Sequence, residues 1–329
     1  MSKRNVPKIQ HYVPQFILRN FCIGNTAKIC TYIKSNGKVF RSNTKKVAAE
    51  KGFYDLTIRG ISATLEFSLS ELEGKSSSIL NKIIEDGSLI NVSKRDKKLL
   101  SYFFATQFIR VPRIREHYKQ INDVMISVVE KMGFDSKNHP QILSGEDDLK
   151  ALSIAGMGEM VSVLAPHFYN KDWILFKAPS GSSYYISDNP VTLQNLIDYG
   201  PRGSLGIAVR GIEIYFPISK VYSLGMICPS YKEIIDNNFN KLDFFRKYEI
   251  DPGLEINREK IENMKKYKSC METGIAFQSI LENVNNKNSL QVMYSSRFIF
   301  SKDDDFSLAK EMINKNPEFR FPPQIQHNQ

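Results

Sequence analysis

The hydrophobic period of this chain changes once, near residue 170, and that change limits the fold more than any other feature. Before it, apolar residues recur at helical spacing over long stretches. After it come the short runs WILFKA, SYYISD, GIEIYFPI and VYSLGMIC, which are β-rich and separated by turn formers, as strands are. Helices first and strands later argue for an α+β fold rather than a repeating βαβ chain. In the first half a short helix follows Pro14, and KICTYIK and GKVFRS read as strands joined by the turn SNG. Helices are predicted over 62–86, opened by Ser62, and over 94–133, opened by Ser93, broken near Pro112 and stopped by Gly133. A further helix is predicted over 151–170, after a loop at 134–150. Beyond the sheet, a helix over about 257–284, the strand RFIFS, a helix from about 305 and a frayed tail from PEFRF onward are expected. The expected architecture is a helical N-terminal half with a small N-terminal hairpin, then an antiparallel sheet and C-terminal helices. It reads as a single compact unit over 1–329, with two lobes if divided: a basic, mainly helical 1–150 and a sheet-containing 151–329.

With 42% hydrophobic and 24% charged residues, the composition is globular rather than disordered. No apolar run approaches the roughly 20 residues that span a bilayer. The opening MSKRNVPKIQHYVPQF lacks the apolar core of a signal peptide. Cys22, Cys30, Cys228 and Cys270 form no CxxC pair or metal-ligand spacing, so reduced thiols and a cytoplasmic location are expected. The net charge is +10. Residues 1–150 hold 25 Lys and Arg against 15 Asp and Glu, while 151–329 are balanced at 20 each. The whole excess lies in the first half, which suits a polyanion such as nucleic acid; a basic, soluble surface without such a partner is the alternative.

The sharper signal is polar residues on faces that should bury. On the helix at 62–86, Glu66, Leu69, Glu73, Ser76 and Leu80 share one face. On the next helix Phe103, Gln107, Arg110 and Ile114 do so. Buried charges are costly unless paired, so Glu66 or Glu73 is expected to face Arg110. The pair is either an internal salt bridge or part of a cleft lined by carboxylates and a guanidinium. Carboxylates seven residues apart stand about 10 Å apart along a helix, too far for one metal unless they converge. In HYVPQFILRNF, His11 precedes a helix start and could act as acid or base, or merely cap; Gln15 and Arg19 share one face at i, i+4. Ser187-Asp188-Asn189-Pro190 places a carboxylate at a strand end, where catalytic carboxylates and ordinary turns both occur.

Taken together and in this order, HYVPQFILRNF, LEFSLSELEG, FFATQFIRVPRIR, ISDNPV and YFPIS resemble a bacterial domain-of-unknown-function family, number four-two-three-eight. Its members open with His-Tyr-Val-Pro-Gln and carry Ser-Asp-Asn-Pro in the later sheet. The resemblance runs from His11 to about Phe300. It implies that His11, Gln15, Arg19, Glu66, Glu73, Gln107, Arg110, Arg113 and Asp188 form a shared polar set, and it brings no activity with it.

The expected function is hydrolysis of nucleic acid or nucleotides, nuclease-like and of the kind used in bacterial defence or toxins. His11, Glu66, Glu73, Arg110 and Asp188 would be catalytic, with a divalent cation, Mg²⁺ or Mn²⁺, a candidate at the carboxylates. Gln15, Arg19, Gln107, Arg113 and Asn189 would bind substrate. A non-enzymatic macromolecule-binding protein with a structural polar network is the main alternative. A glycan hydrolase is a third, weakened by a single tryptophan, Trp173.

Overall fold

The computed structural model describes residues 7–58, 61–139, 142–143, 145–195, 197–200, 203–247 and 258–322. The chain enters as β1 (Ile9–His11), turns into α1 (Gln15–Arg19) and forms the hairpin of β2 (Lys28–Ile33) and β3 (Val39–Asn43). It then returns as β4 (Ala49–Lys51) to pair with β1. A second hairpin, β5 (Asp55–Ile58) with β6 (Ile61–Thr64), corrects the expected helix start. Ser62 stands opposite Thr57 in this hairpin rather than capping a helix, and α2 runs from Glu66 to Asp86. Ser93 does cap α3 (Lys94–Ile109): its hydroxyl accepts from the Asp96 N–H, and the Asp96 carboxylate accepts from the Ser93 N–H, each at 3.1 Å. The chain breaks at Arg110 and Val111, and Pro112 opens α4 (Pro112–Lys131).

Next, α5 (Glu146–Tyr169) begins earlier than expected, with Glu146, Asp147 and Asp148 in its first turn, where negative charge meets the positive end of the helix dipole. By length and composition α5 alone among the described helices could cross a membrane, which the search for continuous apolar runs missed. Its apolar residues, among them Leu152, Ile154, Val161 and Leu164, are interrupted by Glu159 and by glycine and serine, and it packs along α3.

The five-stranded sheet contains β7 (Asp172–Lys177), β9 (Thr192–Asn195), β10 (Ile212–Pro217), β11 (Tyr222–Ile227) and β12 (Phe277–Gln278), in the order β12-β7-β11-β10-β9. All its pairings are antiparallel except that of β12 with β7. The strand expected from SYYISD, β8 (Ile186–Ser187), leaves this sheet. It pairs with β13 (Phe298–Ser301), which pairs in turn with β2. The hairpin expected to be a small N-terminal unit is therefore half of a four-stranded sheet shared with the far end of the chain. Helices and sheets are interleaved more than the change of period implied. Between β11 and β12 lie α6 (Ser230–Lys247), which was not foreseen, and α7 (Arg258–Thr273). The single helix expected over about 257–284 is α7 plus the start of α8 (Leu281–Tyr294), parted by Gly274 at φ 78 and by β12. The chain ends in α9 (Ser307–Lys315) and a 3₁₀ turn at Pro317–Arg320, so the frayed-tail expectation fails there, and beyond residue 322 it lies outside the described residues.

Alternation along the strands gives the five-stranded sheet two faces. Ile214, Phe216, Leu224, Met226 and Trp173 meet α3, where the Phe104 ring lies 5.2 Å from Phe216 and 5.7 Å from Trp173. The opposite face carries Phe176, Gln194, Glu213 and Tyr215 toward α6, α7 and α8. A second core, with Tyr32, Tyr185, Ile299 and Phe306, lies under the four-stranded sheet.

Candidate functional site

The lead HYVPQ is held on both sides. The N–H groups of Tyr12 and Val13 both donate to the Ala48 carbonyl, at 2.9 and 3.4 Å. Ala48 itself adopts φ 51, a left-handed conformation costing a non-glycine residue about 1 kcal/mol. The buried Gln10 accepts from the Tyr54 N–H at 2.6 Å and donates to Asp55 at 2.7 Å. Tyr54 Oη donates to the His11 carbonyl at 3.1 Å. These bonds fix His11 at the end of β1, just before Pro14 turns the chain into α1.

Two helices bring the remaining groups. Leu69, Ser76, Leu80 and Ile83 form the buried face of α2, so Glu73 points inward and Glu66 stands at the first turn. Phe103 and Gln107 are buried on α3, and Arg110 follows where that helix ends. Arg110 Nη1 donates to Glu73 at 2.7 Å, and its Nε donates to Gln107 Oε1 at 2.9 Å. Gln107 Nε2 then donates to the Tyr12 carbonyl at 2.9 Å. One chain of bonds thus ties α2, α3 and the lead together. The Arg110 side chain is 1% exposed and that of Glu73 is 26% exposed, so the pair runs from the interior to the surface. Arg110 Nη2 is buried with no hydrogen-bond partner.

The electrostatics of this cluster push an acid and a base toward their neutral forms. Burial lowers the His11 pKa below its ordinary value, and the charges of Arg110 and Arg19 add to that, while the Thr44 hydrogen bond and Glu73 oppose it. His11 Nε2 lies 3.1 Å from the Thr44 carbonyl. A carbonyl only accepts, so Nε2 carries the proton and Nδ1 keeps the lone pair. Burial, and then the charge of Glu73, raise the Glu66 pKa, while Arg110 pulls it back. Exposed Arg19, Lys45 and Lys46 lie on α1 and just after Thr44, so cations rim the cluster.

The other sequence-derived residues are placed differently. Gln15 and Arg19 bond each other at 2.9 Å on the exposed side of α1. Arg113 lies against the Tyr294 ring, 5.9 Å from its centroid, and its Nη1 is buried without a partner. Asp188 has no hydrogen bond or ion pair to His11, Glu66, Glu73 or Arg110. Its carboxylate accepts the N–H groups of Ser296, Arg297 and Phe298 at 2.8, 2.6 and 2.9 Å. Burial still raises its pKa to about 6. Lys34 lies near it, 1% exposed and bonded to the Ser295 carbonyl at 2.6 Å, its pKa drawn down to about 8 by burial. Asn189 donates to the Tyr294 carbonyl at 3.0 Å. Asp188 and Asn189 therefore anchor the start of β13 to the end of β8. Among the described residues no three His, Cys, Asp or Glu side chains stand close enough to hold a metal ion.

Sequence reasoning missed Gln10, Tyr54 and Asp55, which position His11. Their signal was a buried glutamine beside His11 and a tyrosine next to a carboxylate in GFYDL, neither of which announces a distant partner. The comparisons agree with the motif resemblance: a family model described as a protein of unknown function, DUF4238, matches residues 9–305. No curated protein and no solved structure matches the chain.

Proposed function

We propose that this chain, which belongs to the DUF4238 family, is a hydrolase of phosphate esters, with nucleic acid or a nucleotide as substrate. The observation that supports this reading is an imidazole whose pKa burial lowers and a carboxyl whose pKa burial raises, both beside the Glu73–Arg110 pair. Titratable groups whose surroundings push them apart in this way suit the roles of base and acid. His11 Nδ1 takes a proton from water as the water oxygen bonds to phosphorus. Glu66 gives its proton to the departing ester oxygen. Arg110, buried behind Glu73, contributes positive potential from beneath the cluster without touching substrate, and Glu73 and Gln107 fix the guanidinium. Arg19, Lys45 and Lys46 draw the polyanion in. Asp188 and Asn189 serve this reading as positioning residues.

The test is hydrolysis of short RNA, short DNA and nucleoside phosphates, each with and without Mg²⁺ or Mn²⁺. Wild type is expected to release product from at least one, and His11→Ala to lower kcat by about 10²–10⁴-fold. A wild type inert toward all of them removes the reading.

A second reading is favoured by the bond chain from Glu73 through Arg110 and Gln107 to Tyr12. Such a chain also suits a purely structural network in a macromolecule-binding protein. RNA retention that falls steeply with salt, without any hydrolysis, would favour it.

A further inference from the structure

The face of the five-stranded sheet turned away from α3 walls an open cavity of about 370 Å³, lined on its other sides by α6, α7 and α8. Strand alternation puts the polar groups there. Ile212, Ile214 and Phe216 of β10 point one way, so Glu213 and Tyr215 point the other. The register sets Gln194 opposite Glu213 and Phe277 opposite Phe176. Gly225 leaves room between them: a Cβ there would lie 2.6 Å from Phe176 Cε2. The Phe176 ring can therefore lie across β11 toward Tyr215, with centroids 5.8 Å apart.

Two opposite charges line this cavity and do not meet. Glu213 is 4% exposed, and its Oε2 accepts from Tyr215 Oη at 3.0 Å and from Gln194 Nε2. Lys287 of α8 is 5% exposed, with Nζ 4.0 Å from the centroid of Phe176 and 4.6 Å from that of Tyr215. Among the described residues Lys287 Nζ has no hydrogen-bond acceptor and no ion pair. Two aromatic faces offset part of the cost of burying an ammonium, yet its donors still lack an acceptor. Burial draws its pKa down to about 8, with Glu213 opposing, so at pH 7 it remains mostly charged.

We infer that this cavity binds a small aromatic molecule bearing an acidic group, its ring against the packed wall of Phe176, Tyr215, Tyr267 and Phe277 and its anion on Lys287 Nζ. A cavity of about 370 Å³ has room for one substituted aromatic ring. Glu213 and Gln194 then face any donor on the ring. The site shares no residue with the His11 cluster and stands or falls without it.

Calorimetric titration tests this with benzoate and indole-3-carboxylate against their neutral counterparts, benzamide and indole. At pH 7 wild type is expected to bind at least one acid about tenfold or more tightly than its neutral partner, as a charge-assisted bond predicts. That preference should fade as pH rises through 8 and Lys287 loses its proton. Lys287→Met, similar in length and uncharged, should erase the preference while circular dichroism stays unchanged. Should that variant not fold, the pH dependence of wild type decides alone. Absence of binding at millimolar concentration, equal binding of acid and neutral probes, or a preference that survives Lys287→Met or is constant with pH overturns the inference.

Discussion

Arg110 cannot shed its proton, and its side chain is 1% exposed, so the groups around it must answer its charge. Glu73 and Gln107 do so from two helices. Glu73→Gln leaves the buried, permanently charged Arg110 without its counter-charge and is expected to cost about 3–5 kcal/mol in urea unfolding. Arg110→Met should cost less, because the Glu73 it strands reaches solvent. Equal and small losses for both would contradict that ordering. Asp188 makes a different prediction. Its folded pKa of about 6 lies above the ordinary 3.8, chiefly through burial. The folded chain therefore keeps a proton that the unfolded chain has lost. Stability from this group is full below pH 3.8 and is lost as pH rises to about 6, on the order of 3 kcal/mol in all. Measured across that window, wild type should lose stability relative to Asp188→Asn; parallel curves would contradict the assignment. The Glu73–Arg110 pair was legible because both residues break an apolar helical face. The partners of Asp188 were not, since Ser296, Arg297 and Phe298 follow it by more than a hundred residues and offer only backbone N–H groups, which every sequence has.

Local chemistry made some elements readable and left others open. Ser93 and Asp96 cap α3 as their spacing implies, and Pro112 parts α3 from α4 where a missing N–H does no harm. Ser62 carried the same kind of signal and was misleading, because the β5–β6 hairpin claims its backbone. The apparent long helix near 257–284 fails at Gly274, whose left-handed φ brings the chain against Leu89 and Ile90. GIEIYFPI announces a strand, but its alternation does not reveal that both faces are packed, with Glu213 buried on the second. Gly225 serves that face directly. Gly225→Ala would drive a Cβ into the Phe176 ring, which is walled in and cannot swing away like a flexible side-chain end. The expected cost is about 1–3 kcal/mol, read by urea unfolding; unchanged stability would show that the ring moves freely.

Across the whole molecule, the pairing of β2 with β13 joins segments more than 260 residues apart, and no local pattern could announce it. The four-stranded sheet joins Asp188, at the end of β8, to the start of β13, while β1 pairs with β4 in a separate sheet, so the order of motifs along the chain says little about which of them meet. The basic excess of the first half includes exposed Arg19, whose charge reaches His11, and exposed Lys45 and Lys46, which follow the Thr44 that His11 meets. The account therefore rests on whether that cluster does chemistry or only joins helices, and Glu66→Gln separates the two. Burial and Glu73 raise the Glu66 pKa, so stability from this group is full below its ordinary 4.5 and is lost as pH rises through the raised value. Glutamine removes both that loss and the titrating carboxyl. Thermal unfolding and hydrolysis measured on the same Glu66→Gln preparation at pH 7 should show a melting temperature equal to or above wild type, with kcat lower by about 10²-fold or more. A lower melting temperature with hydrolysis intact would contradict the account.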